Sequence, residues 1–229
     1  VKSPLVLEPL FHLGPAAITE PVVVAWGVIA LLGGASALAT RRLRLTPSRA
    51  QAALELVVSA IDAQIRDTMR NDPAPFRALI GSIFLFVLAA NWSSLIPGIE
   101  PPTAHIETDA AIAAIVFFST VAYGLRARGL AGYLATFAEP SWVMIPLNVV
   151  EQFTRTFSLI VRLFGNVMSG VFVVGVVLSL AGLLAPIPLM ALDLLTGAVQ
   201  AYIFAVLATV FIGAAVGEAG PARANKETA

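Results

Sequence analysis

Five stretches of this chain are too apolar and too long to sit comfortably anywhere but a lipid bilayer. Residues 21–40, between Glu20 and Arg41, form a run of 20 without a charge, and residues 78–99, between Arg77 and Glu100, form one of 22. A helix needs about 20 such residues to cross a hydrocarbon core of about 30 Å. A shorter run, "AAIAAIVFFSTVAYGL", occupies 110–125. Two long apolar segments follow, 146–184 and 188–217, broken around "LAPIP". Charged residues are 12% of the 229, against about 25% in soluble domains. The expected fold is an all-α polytopic membrane protein of five embedded helices, forming a single membrane domain over 1–229.

Residues 46–71 differ. Thr46 suits an N-cap and Pro47 the first helical position. Ala50, Leu54, Val57, Ile61, Ile65 and Met69 recur at steps of three and four, while Arg49, Asp62, Arg66 and Arg70 fall mostly elsewhere on the wheel. This predicts an amphipathic helix lying in the membrane interface. A helix packed on a partner is the alternative.

Lysine and arginine set the orientation. With the N-terminus outside, the inner segments hold eleven of them: Arg41, Arg42, Arg44, Arg49, Arg66, Arg70, Arg77, Arg126, Arg128, Arg223 and Lys226. The outer segments hold only Lys2, and the outer loop "EPPTAHIETD" is acidic. The C-terminus is therefore expected on the cytoplasmic side. The N-terminal "VKSPLVLEPLFHLG" lacks the long apolar core of a cleaved signal peptide. There is no cysteine, and His12 and His105 are too few and too far apart for a common zinc signature. Net charge is zero, so bulk electrostatics favours no nucleic-acid partner.

The two last segments are oversized. The 39 residues from 146 to 184 would make ~58 Å of helix, and 188–217 ~45 Å. Helices this long must tilt steeply, bend, or run partly along the interface. The first carries one polar stripe: Asn148, Glu151, Arg155, Ser158, Arg162, Asn166 and Ser169, at steps of three and four. Glu151 precedes Arg155 by four, the favourable order for an ion pair. Arg162 has no carboxylate three or four residues away, and thirty uncharged residues separate it from Asp193. A mid-span arginine costs roughly 2.5–3.5 kcal/mol on insertion scales. Its countercharge must come from another helix or another chain. On the second long helix Asp193 and Gln200 lie seven apart, on one face. Such a stripe marks a water-lined path or a polar interface.

The residues "RLFGN" at 162–166, "SG" at 169–170 and "QAYIFAVLATVFI" from Gln200 resemble the a subunit of F-type ATP synthases. "PLNVVEQFTRTFSLIV", "NWSSLIPG" at 91–98 and the early "FHLG" extend the resemblance over most of the chain. The short length and the "IETDAA" loop are similar to an alternative bacterial group of F-type ATPases. The resemblance implies a stator in a bacterial inner membrane, holding two steep helices against a rotating c ring and joined to the b subunits of a peripheral stalk. It implies two offset half-channels, with Arg162 as the coupling gate and Asn166 and Gln200 near it. By the topology above, Asn148, Glu151, Arg155 and Ser158 fall on the inner path and Asp193 on the outer one. It implies no cofactor and no bond chemistry in this chain. The sequence departs from many bacterial members where Val171 replaces a common Glu and Asp193 a common His, and where "RTF" at 155–157 replaces a commoner Arg-Pro.

Two other classes fit less well. A secondary transporter favours inverted repeats and broken helices at mid-membrane, and neither is visible. An intramembrane protease needs HExxH, two membrane aspartates, or a membrane histidine as base, and the chain has none of these sets.

Overall fold

The computed structural model describes residues 9–13, 16–41, 49–96, 99–137, 142–182 and 185–217. Six helices carry the fold: α1 (Glu20–Thr40), α2 (Arg49–Met69), α3 (Ala74–Trp92), α4 (Ile106–Phe137), α5 (Ile145–Ala181) and α6 (Ile187–Val216). All but α2 are long and apolar enough to cross a membrane, among the described residues. At 37 and 30 residues, α5 and α6 run ~55 and ~45 Å, well beyond the thickness of a hydrocarbon core.

The expected element types hold, and the boundaries move for physical reasons. Helix α4 begins four residues before the uncharged run at 110–125 and continues twelve beyond it, through Arg126 and Arg128. Charge ends contact with lipid, but it does not end a helix, because long basic side chains reach the interface while their stems stay apolar. The real interruption is Gly129, whose φ of 72° and ψ of 171° leave helical space inside α4. The amphipathic segment is helical over Arg49–Met69, and Thr46 and Pro47 lie outside the described residues. A short antiparallel hairpin, β1 (Pro9–Leu13) with β2 (Ala16–Thr19), precedes α1 and was not expected. Its one local cue is the Gly14–Pro15 pair between the strands, a turn dipeptide. Pro21 sits in the first turn of α1, where a missing N–H costs nothing.

Contacts gather into two compact units. One combines residues 1–46, 85–109 and 162–201. In it α1 packs on the buried turn Pro102–Ala104. Asn91 ties two segments together: its Nδ2 donates to Gly197 O (2.9 Å), and its Oδ1 accepts from Thr103 Oγ1 (2.6 Å). Gly197 permits this approach, since a Cβ there would stand 3.1 Å from the Asn91 Cβ. Trp92 Nε1 donates to Leu194 O at 3.2 Å.

The other unit combines 47–84, 110–161 and 202–229. Its core is Ile65 and Met69 of α2, Phe76 and Ile80 of α3, and Ala205 and Ile212 of α6. The second half of α2 is therefore packed, whereas Leu54, Leu56, Val57 and Val58 in its first half are exposed. Lipid is as apolar as these side chains, so close packing across small residues has to supply the attraction between spans. Gly213 meets Met69 and Gly81 meets Ile61 in this way. Arg77 forms a two-bond pair with Asp62 at 2.5 Å, but the guanidinium faces solvent, a setting in which an ion pair adds little. Packing decides this contact.

The end of α6 is fastened. Gly217 takes the left-handed conformation (φ +79°) that commonly ends a helix. Its carbonyl accepts from Asn71 Nδ2 at 3.1 Å, and the Val216 carbonyl accepts from Arg128 Nε at 3.2 Å. Two of the carbonyls that a helix C-terminus leaves without partners are thereby met.

Candidate functional site

Two cavities, one in each unit, hold four of the polar groups singled out from the sequence: Asp193 in one, and Asn148, Glu151 and Arg155 in the other. The first, of about 370 Å³, is lined by Ser94, Glu100, Pro101, Val171, Met190 and Asp193 among others. Asp193 is half-buried, with Ser94 Oγ 3.5 Å from its Oδ2. Ser94 also donates to Asn91 O at 2.9 Å, so the hydroxyl is held in place by the turn after α3. Gly170 stands against the Asp193 carboxylate, and any Cβ there would collide with it. The small pair "SG" on α5 thus opens the space that the carboxylate of α6 occupies. Among the described residues, Asp193 and Glu100 are the only charged groups lining this cavity.

The second cavity, about 310 Å³, is lined by Tyr133, Asn148, Glu151, Gln152, Arg155 and Phe211 among others. Arg155 pairs with Glu151 as the i,i+4 spacing predicts, and its guanidinium lies 5.6 Å from the Phe211 ring centre. Stacking on an aromatic face suits a planar cation. Asn148 Nδ2 donates to Phe137 O at 2.8 Å. Three of the four stripe residues expected on the inner path therefore line one polar space. Ser158, the fourth, is exposed and does not line it.

Arg162 is exposed on α5. No hydrogen bond or ion pair engages it among the described residues. Asn166 is half-buried. Gln200 is buried, and its Nε2 has no hydrogen-bond partner. The expected approach of Asn166 and Gln200 to Arg162 is not made as a hydrogen bond within the chain. A permanent cation in the middle of a span and a buried amide with an unused donor are both costly alone. Each has capacity left for a group that the described residues do not supply.

Sequence reasoning passed over Asn91, Ser94, Glu100 and Gly170. The first two lie in the quoted "NWSSLIPG", so the stretch was visible. Their partners are 106 and 99 residues away, beyond any local periodicity.

Comparison with known proteins gives consistent matches. The family model described as ATP synthase A chain matches residues 22–213. "ATP synthase subunit a 2" of a Bradyrhizobium species is 57% identical over 216 residues, 94% of this chain and 97% of that protein. "ATP synthase subunit a" of Albidiferax ferrireducens is 44% identical over 196 residues, 85% of each chain. "ATP synthase subunit a 1" of Chlorobaculum parvum is 45% identical over 196 residues, 85% of this chain and 87% of the relative.

Proposed function

This chain belongs to the ATP synthase A chain family, and on that ground we propose that it is the ion-translocating stator subunit of a rotary F-type ATP synthase. It sits in a bacterial inner membrane against a ring of c subunits, each with one ion-binding carboxylate, and is braced by the b subunits of a peripheral stalk. ATP is made or hydrolysed on other subunits. This chain supplies two aqueous half-channels and the gate between them.

The observation that carries the reading is Arg162. It is an exposed, permanent cation in the middle of a polar stripe on a membrane-spanning helix, with no partner in the described residues. Guanidinium stays charged at every physiological pH. A ring carboxylate facing it is held ionised, because a nearby cation favours the charged form. It therefore gives up its ion to the exit path. Moving on into lipid as an anion is costly, so the carboxylate reloads from the entry path first. The fixed cation also repels an ion crossing directly from one path to the other. Phe172 and Val176, beyond Arg162 on α5, are exposed and apolar, as a surface sliding against a ring requires.

The inner path is assigned to the cavity of Asn148, Glu151 and Arg155. The chain has no cysteine, so single introduced thiols report cleanly. Cysteines at Asn148, Glu151 and Arg155 are expected to react with a water-soluble thiol reagent supplied from the cytoplasmic side. Cysteines at Val149 and Val150 are expected to react much less. Equal protection at all five positions would reject an aqueous path there.

The orientation rests on the excess of Lys and Arg in the inner segments. A cysteine at Glu107, which is exposed, is expected to be labelled from outside intact cells. One at Lys226 is expected to be labelled only after permeabilisation. The reverse pattern would invert the topology.

A further inference from the structure

We propose that Glu100, steadied by His105, is the proton-collecting carboxylate at the mouth of the Asp193 cavity. The inference rests on the outer-path reading of that cavity and adds the group that loads it.

Glu100 lines the same cavity of about 370 Å³ as Asp193. Glu100 is exposed, whereas Asp193 is only partly so. The more exposed carboxylate is the one placed to take a proton from bulk water. His105 explains why that carboxylate stays at the mouth. The imidazole is 7% exposed, and its Nε2 has no hydrogen bond. The nearest charged group to that nitrogen is Glu100, whose Oε2 lies 3.4 Å away. A buried polar nitrogen without a partner is costly, so the chain holds His105 there by other means. It occupies the N-cap position of α4, with its N–H donating to Pro102 O at 3.2 Å. Its carbonyl accepts from Thr108 N at 3.2 Å. The turn beneath it, Pro101–Ala104, is buried and tied to Asn91 through Thr103. The His105 backbone is thus held by a buried turn, with the ring Nε2 at 3.4 Å from the Glu100 carboxylate.

Other charged groups nearby do not compete for this role. On α4, Glu107 is exposed and Asp109 is fully buried with neither oxygen hydrogen-bonded, and neither lines the cavity. Helix α1, which packs on the same turn, carries no charge between Glu20 and Arg41. Two carboxylates facing one cavity can pass a proton between them through water. A hard cation, which takes oxygen ligands, is the alternative that added sodium tests. The step balances without a co-reactant. A proton adds to the Glu100 carboxylate, passes through cavity water to the Asp193 carboxylate, and leaves Glu100 ionised again.

The experiment uses the whole complex reconstituted in vesicles, with ATP synthesis followed as outer pH is varied. A collecting group matters most when protons are scarce. Glu100→Gln is therefore expected to lower synthesis about tenfold in an alkaline outer medium, and little in an acidic one. Glu100→Asp should keep most of the activity. His105→Gln should shift the same pH profile in the same direction, by less. Asp193→Asn is run beside them. If Asp193→Asn is impaired and Glu100→Gln keeps the unmodified pH profile, the collecting role is wrong and the outer path survives. If Asp193→Asn is unimpaired, the outer path itself is wrong. Recovery of Glu100→Gln by added sodium would also overturn the proton assignment. Should His105→Gln fail to assemble, Glu100→Gln decides alone, because its half-exposed side chain leaves folding intact.

Discussion

Arg162→Ala is expected to abolish ion-driven ATP synthesis in reconstituted vesicles while the complex still assembles. Assembly survives because the guanidinium is exposed and makes no internal bond among the described residues, so its removal breaks nothing in the chain. Removing a cation from the middle of a span also relieves roughly 2.5–3.5 kcal/mol of insertion cost. Synthesis fails because nothing then holds the passing ring carboxylate ionised, and ions leak between the two paths without turning the ring. Passive ion flux through the membrane sector should accordingly persist. Arg162→Lys should fail largely as well. A lysine keeps a charge but loses the planar fork, and its pKa shifts readily when buried. Coupled synthesis at the normal rate in the alanine variant would refute the gate.

The second large effect is expected at Asp193. Asp193→Asn keeps the shape and removes the exchangeable proton, so ion-driven turnover should fall about a hundredfold, the lower range for removing an acid–base group. Assembly should be unchanged, because the amide keeps the size and shape of the carboxylate. The cavity suggests a rescue. Val171 lines the same space from α5 and is half-buried, so a carboxylate placed there would face the same water. Val171→Glu is expected to restore part of the activity lost in Asp193→Asn. Gly170→Ala should mimic the loss without touching the carboxylate, since the added methyl would occupy the place of its oxygen. An assembled Asp193→Asn complex with full activity would remove Asp193 from the mechanism. A dead double variant that assembles would separate the two positions.

Much of this was legible in the sequence, and the limits have physical causes. Runs between charges located all five spans, because burying an unpaired charge in lipid is expensive. They misjudged α4, since Arg126 and Arg128 mark where lipid contact ends, and the helix runs on to Phe137. The stripe on α5 was correct as a periodicity. Asn148, Glu151 and Arg155 share a cavity, while Ser158, at the same spacing, does not line it. Periodicity places a residue on a face, and only the neighbouring segments decide where that face encloses space. The role of Asn91 needed the fold outright. It bonds Thr103 and Gly197, 12 and 106 residues away, and no local pattern encodes such a meeting. Gly170 was visible only as half of a small pair. Its purpose depends on Asp193, which belongs to the next helix.

The two bonds at the end of α6 bear on how such a chain is built and loaded. Asn71 and Arg128 reach Gly217 and Val216 from 146 and 88 residues earlier in the chain. Helix α6 is thus received by donors made long before it, and its seating depends on a dock that is already in place. In the proposed complex, a ring turning against this helix would drag on it at every step. A helix with a loose tail would answer that drag by sliding along its own axis, whereas one moored at its tail passes the load into the rest of the subunit.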